Sequence, residues 1–290
     1  MKIGVIGTGL MGSNLARCLV SKGYEVILYN RTKAKAEELA REINGVVVDS
    51  PREALEEAKV AIAFISDDEA LYDIVFRENG LIYSRPNTVF INASTVTPMA
   101  SMRVYKVLRN KGIGYVEAPV YGSTSEACEC RLLSFVSAEK SVYDRVKQVI
   151  ESYSYKTYYL GEIPKAMALK LALNNIGLAL PALMAESLAL LEAWGVELEL
   201  FKEVSENLWF GEAIKRYWPR IMEEKPPRFK TWMAGKDYWY IASTLKAKKL
   251  PSYLAETLSS MYMNASKHGY DNKDYPQITR YYIEIAKKHK

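Results

Sequence analysis

Residues 2–31 read KIGVIGTGLMGSNLARCLVSKGYEVILYNR, and this stretch decides the fold. Its opening residues, 2–6, are mostly apolar and predict a buried strand. Gly7-Thr8-Gly9-Leu10-Met11-Gly12 follows, then a helical pattern over 10–20 and a second apolar run over 24–29. A strand, G-x-G-x-x-G and a helix in that order put a dinucleotide's pyrophosphate on a helix N-terminus. In that arrangement Gly7 permits the tight turn, Gly9 lets the backbone approach the phosphates, and Gly12 lets helix and strand pack closely. Gly7, Thr8, Gly9, Leu10, Met11 and Gly12 are therefore candidate cofactor-binding residues.

The second strand ends at Asn30-Arg31-Thr32, ahead of a charged helix over 33–43. An NAD site usually presents an acid here to the ribose 2′-hydroxyl, whereas an arginine pairs with a 2′-phosphate. Asn30, Arg31 and Thr32 therefore point to NADP, with NAD possible; the alternative is a solvated arginine beside a helix start. Further on, an apolar run over 60–65 ends at Ser66-Asp67-Asp68-Glu69, which predicts the cap of a helix over 70–75. The run 89–91 leads to Thr97 as a cap and Pro98 as the first helical residue. Ser66 and Thr95 thus fall at the carboxyl ends of parallel strands, where ligands sit, although capping alone would also explain them.

Strands are expected over 115–118, 132–137 and 157–160, with a helix over 142–153. Beyond Gly161 amphipathic patterns take over, at 165–194, 198–217, 237–247, 251–267 and 276–289. The fold class is α/β: a Rossmann-type domain over 1–161, then an all-helical domain over 162–290, joined by one long helix.

With 290 residues, 49% of them apolar, the chain can build substantial cores. The net charge of +5 is spread among 34 acidic residues, so no nucleic-acid groove is indicated, while a local positive field would suit an anionic ligand. Cys18, Cys128 and Cys130 have no zinc-ribbon or C-x-x-C spacing, which reads as a reduced, cytoplasmic compartment. The apolar stretch 166–194 contains Lys170, Asn174, Asn175, Pro181 and Glu186, so it reads as a helix buried in protein and not in lipid. His268 and His289 offer no histidine-based metal cluster.

Lys170 and Asn174 are four apart and share a helix face, among Leu169, Leu171, Ala172 and Leu173. A lysine in such company is desolvated, and the lowered pKa lets it exchange a proton near neutrality. A lysine snorkelling out of an interface has the same pattern.

GVIGTGLMGSNLA at the N-terminus, NRT, SDDEA, STVTP, EAPVYGS, the Lys170–Asn174 pair and FKTWMAGKD, in that order, resemble the β-hydroxyacid dehydrogenases over residues 1 to about 245. That family includes 3-hydroxyisobutyrate dehydrogenase, tartronate semialdehyde reductase and the glyoxylate/succinic semialdehyde reductases. The resemblance implies hydride transfer between nicotinamide and the carbinol carbon of a small hydroxy acid or its semialdehyde. It implies Lys170 as general acid/base, Asn174 as its partner, and Thr95 beside nicotinamide and substrate. Tyr121, Gly122 and Ser123 correspond to the family's carboxylate-binding Ser-Gly-Gly. Lys236 closes the site, with Asp237 alongside on the cofactor, and assembly is as a homodimer or homotetramer.

The departures are specific. Tyr121 and Ser123 stand where the family has Ser and Gly, Glu117 where it has Asp, and Glu126 and Cys130 where it has glycines; Pro164 and Ala166 replace two more. Either a carboxylate is still bound, or the pocket serves an imine or a carbonyl without one. A dinucleotide-sensing module without turnover is the alternative from outside enzymology, and a retained Lys170 and Asn174 speak against it.

Overall fold

The computed structural model describes residues 1–288; His289 lies outside the described residues. Six short runs form one parallel sheet: β1 (Lys2–Ile6), β2 (Glu25–Tyr29), β3 (Val46–Val47), β4 (Val60–Ala63), β5 (Val89–Asn92) and β6 (Gly114–Glu117), in the order β3-β2-β1-β4-β5-β6. This is the doubly wound order that places a ligand where the strand order reverses, beside β1 and β4. The connecting helices are α1 (Leu10–Ser21), α2 (Lys33–Ile43), α3 (Pro51–Ala58), α4 (Asp68–Phe76) and α5 (Pro98–Asn110). β4 and β5 are buried throughout, as helices on both faces require, and so read as unbroken apolar runs.

A three-stranded sheet follows, ordered β7-β8-β9: β7 (Val120–Tyr121), α6 (Thr124–Cys128), β8 (Leu132–Val136), α7 (Lys140–Ser152) and β9 (Ser154–Tyr159). Then come α8 (Lys165–Ala193), α9 (Leu198–Ser205), α10 (Gly211–Met222), α11 (Thr231–Ala247), α12 (Tyr253–Ala265) and α13 (Ile278–Lys288). The chain divides into two compact units, Met1–Lys170 and Leu171–Lys290.

Several elements depart from the sequence expectation. β3 and α3 had no counterpart, because two residues show no alternation and half of PREALEEA is charged; the helix is started instead by Ser50, whose Oγ accepts the Glu53 amide at 3.1 Å. The pattern over 198–217 is two helices, broken where Gly211 packs so tightly that a Cβ would come to 2.6 Å from the Ser205 carbonyl oxygen. α11 begins at Thr231 and not at 237, so Lys236 and Asp237 lie inside a helix.

The expectation of unpaired thiols is corrected too. Cys18 on α1 and Cys130 just after α6 are 112 residues apart in sequence, yet the packing of α1 on α6 brings their Cα atoms to 5.4 Å and the sulfurs are bonded. Cys128 is the free, exposed cysteine.

α8 has Pro181 in its interior, which removes the amide that would bond to the Gly177 carbonyl. The second unit supplies the missing donor. Tyr217 OH donates to Gly177 O at 2.9 Å, Tyr238 OH to Asn175 O at 2.7 Å and Tyr262 OH to Leu178 O at 2.7 Å. Part of the tyrosine-rich composition is therefore spent on one interrupted helix. By length and hydropathy α8 is long and apolar enough to cross a membrane, and only 33% of its most apolar window is buried, so the helix expected to be buried in protein is in large part uncovered in the single chain. Ile176, Leu183 and Leu190, seven residues apart, stay exposed because the apolar residues run around the whole circumference.

Candidate functional site

The carboxyl ends of β1, β2 and β4 open onto a cavity of about 460 Å³ whose walls include Gly7, Gly9, Asn30, Arg31, Thr32 and Ser66. Gly7 has φ +92° and donates its amide to the Tyr29 carbonyl at 2.8 Å. Gly12 lies so close beneath that a Cβ there would stand 1.8 Å from the Gly7 carbonyl oxygen, so the turn closes on α1 only because residue 12 has no side chain. In front of Gly9, by contrast, a Cβ would meet nothing within 4 Å. The Thr8 amide donates to Asn30 Oδ1 at 3.0 Å, and Asn30 Nδ2 to the Thr32 carbonyl at 2.9 Å, which ties the first turn to the second.

Thr8 Oγ1 is buried with no hydrogen-bond partner among the described residues. An orphaned hydroxyl, open space before Gly9 and the amide end of α1 fit a pyrophosphate. Leu10 and Met11 begin α1; with Thr8, Gly12 and Thr95 they stand outside the cavity wall.

The wall also carries Lys35 and Arg77, which the sequence reading did not single out. Lys35 sits in the first turn of α2, so its distance from Arg31 was the available signal; Arg77, at the end of α4, gave none. Two acids of this wall are already matched: Asp49 pairs with Lys33 at 2.5 Å and Asp73 with Arg77 at 2.9 Å. Ser66 Oγ donates at 2.7 Å to Asp67, whose other oxygen accepts the Ala70 amide at 2.7 Å, so this serine both lines the cavity and supports the cap of α4. At β5 it is Ser94 that stitches the strand ends, accepting the Ile65 amide at 2.9 Å, while Thr95 is half-buried beside it.

Lys170 is 8% exposed, and its Nζ lies 5.0 Å from the centre of the Tyr121 ring, within range of a cation–π contact. Tyr121 is held there by its antiparallel register with Leu133. The first turn of α8, which leads to Lys170, is anchored at the end of β6 and just after β8: Met167 N donates to Glu117 at 3.4 Å and Ala166 N to Ser137 Oγ at 3.0 Å. Burial pushes the Glu117 carboxyl up to about 7, although hydrogen bonds from Ser101 and the α8 amides work in the other direction.

In the second unit Asn174 Nδ2 donates to Asp237 at 2.7 Å, and Lys236 Nζ stands 3.1 Å from the same carboxylate and 4.8 Å from the Tyr240 ring centre. Asp237, expected on the cofactor, is fully buried, so its reach is through those two side chains. No group of three or more His, Cys, Asp or Glu side chains among the described residues is arranged to hold a metal.

Residues 2–161 match the family model described as the NAD-binding domain of 6-phosphogluconate dehydrogenase, more than half of the chain. The chain belongs to this family of β-hydroxyacid dehydrogenases. The dehydrogenase is 29% identical to the uncharacterized oxidoreductase YfjR of Bacillus subtilis, over 97% of this chain and 99% of that one. It is 25% identical to glyoxylate/succinic semialdehyde reductase 2, chloroplastic, of Arabidopsis thaliana, over 96% and 78%. Its fold matches a 3-hydroxyisobutyrate dehydrogenase from Salmonella typhimurium with TM-score 0.81, at 21% identity over 97% and 99% of the two chains. This β-hydroxyacid dehydrogenase is thus an NAD(P)-dependent oxidoreductase.

Proposed function

We propose that the enzyme prefers NADP and moves a hydride between the nicotinamide and the carbonyl or carbinol carbon of a small substrate, the class of semialdehydes and β-hydroxy acids named among its relatives. The observation that carries the reading is Lys170, a buried amine on α8 facing Tyr121, with Asn174 one turn further along the helix. A binding module has no need of such a group. When bound, the cofactor supplies the hydride chemistry. Lys170 donates a proton to the carbonyl oxygen as the alcohol forms and takes it back in the oxidative direction. Asn174, held by Asp237, fixes the substrate, and Lys236 adds positive charge for the developing alkoxide. Thr95, Tyr121, Gly122 and Ser123 complete the substrate set. The preference for NADP is supported by Arg31 and Lys35 on the cavity wall, where both can pair with a 2′-phosphate.

The test is oxidation of NADPH and NADH, side by side, with a panel of semialdehydes, simple aldehydes and ketones. Lys170→Ala is expected to lower kcat roughly 10²–10⁴-fold with NADPH affinity preserved. Unchanged turnover in that variant overturns the assignment of the proton.

A further inference from the structure

Tyr121 carries a ring that the core does not use. Val120 before it and Leu132 on the neighbouring strand are buried in the core of the first unit, but Tyr121 stands outside that core at 38% exposure. What its ring meets is the Lys170 amine, 5.0 Å from the ring centre. Lys156 also lies over a ring, that of Tyr158 at 4.8 Å, but there the lysine is exposed. Lys170 is 8% exposed, and the attraction between an ammonium and the electron-rich face of a ring is stronger once the pair is taken out of water.

Burial by itself disfavours a charged amine, so the ring and the burial act on Lys170 in opposite senses. Other charged groups are placed along the same helix. Glu117 of β6 accepts the Met167 amide three residues before Lys170, and Asp237 of α11 accepts Asn174 one turn after it, with Lys236 against that carboxylate. Both acids are engaged with donors of their own, whereas Tyr121 faces the Lys170 nitrogen itself. We propose that Tyr121 is a positioning residue that holds Lys170 in its ammonium form, and that this pairing fits the enzyme to reduce carbonyl substrates at neutral pH. The proposal rests on the proton-transfer role given to Lys170 above and deepens it by assigning a direction. In reduction the substrate oxygen takes the proton from the Lys170 ammonium, and the neutral amine left behind recovers one from solvent. Oxidation runs the transfer backwards and needs the amine neutral at the start, which the ring opposes.

The experiment reads Lys170 directly, in the protein without cofactor or substrate. Lysines isotope-labelled at Cε are titrated with pH by NMR, and the Lys170 signal is identified by its loss in Lys170→Met. Tyr121→Leu removes the ring but keeps an apolar cover, so that water does not replace it; the Lys170 midpoint is expected to fall by roughly one pH unit. Tyr121→Met serves the same purpose if the leucine protein does not fold. Tyr121→Phe keeps the ring and removes the hydroxyl, and its midpoint is expected to match the wild type, whatever happens to kcat and KM. Glu117, Lys236 and Asp237 are common to all these proteins, so the differences report on residue 121. A second readout is the pH profile of NADPH oxidation with a carbonyl substrate. There kcat/KM falls as pH rises through the Lys170 midpoint, and this limb is expected to move to lower pH in Tyr121→Leu by the same amount. A midpoint unmoved or raised in the ring-free variants, an equal fall in Tyr121→Phe, or a limb that stays in place while the midpoint falls overturns the proposal. Failure of the oxidoreductase reading has a different signature: NADPH left unoxidised by the wild type with every carbonyl offered, while the NMR titration still reports on the ring.

Discussion

The carboxylate of Glu117 accepts the backbone amide of Met167 at 3.4 Å, three residues ahead of Lys170 on α8. It ends a buried chain of hydroxyls in which Asn92 Nδ2 donates to Tyr115 OH at 3.2 Å, Tyr115 shares a 2.8 Å hydrogen bond with Ser101, and Ser101 Oγ donates to Glu117. With the carboxyl pushed from 4.5 up to about 7 by burial, the folded state holds this proton more tightly than the unfolded chain does. The sign follows: the stabilising contribution is fully present below about pH 4.5 and is lost as pH rises through 7, a loss on the order of 3 kcal/mol. Glu117→Gln is expected to abolish this component. Urea unfolding of both proteins from pH 4.5 to 8 checks it, because the wild-type minus variant difference cancels the other carboxylates; a difference flat with pH contradicts the assignment.

Arg31 and Lys35 share the cavity wall with Gly7 and Gly9. A charge-assisted hydrogen bond to a phosphate is worth about 1.5–3 kcal/mol, so Arg31→Ala is expected to weaken NADP binding by roughly ten- to hundredfold and NAD binding little. Fluorescence titration with both nucleotides measures the ratio. An equal loss for both would mean that Arg31 touches the shared part of the dinucleotide.

The parallel sheet and its first turn were legible because their physics is local. A strand covered on both faces is apolar without interruption, and a turn closed by a Gly7–Gly12 contact tolerates no side chain at either place. Caps were legible at Asp67 and Thr97 for the same reason. What escaped were features made by distant chain segments or by two overlapping meanings. Arg77 reaches the cavity from the far end of α4, and Cys18 meets Cys130 only through packing. The Ser123–Glu126 spacing is a capping box written in plain residues, yet beside an expected glycine loop it reads as a departure and not as a helix start. α11 hides its beginning because WMAGKDYWY is apolar or aromatic on both faces.

The Cys18–Cys130 bond closes a loop of more than a hundred residues and ties α1 to the segment after α6. Reduction is expected to lower stability by about 2–5 kcal/mol. Denaturant unfolding with and without dithiothreitol reads the difference. Thiol titration of the denatured protein should find one reactive cysteine, Cys128, before reduction and three after it. Three thiols before reduction would mean that the bond does not form in the purified protein.

Ile176, Leu183 and Leu190 line up at a spacing of seven on the exposed side of α8, at 70%, 59% and 60% exposure, with Trp194 beyond them at 80%. A stripe of this length in water is unfavourable, by roughly 25 cal/mol for each Å² of apolar surface left uncovered. A second copy presenting the same stripe would cover it, in the self-complementary manner of a two-fold interface, which is the basis for proposing a homodimer or homotetramer. Leu183→Glu puts a charge at the middle of the stripe. Light scattering after size exclusion is expected to report a multiple of 32.9 kDa for the wild type and a shift toward that mass for the variant. Each unit keeps its own buried core in either case, so far-ultraviolet circular dichroism should be unchanged. A wild type that elutes as a monomer, or a variant with unaltered mass, removes the stripe as the assembly surface.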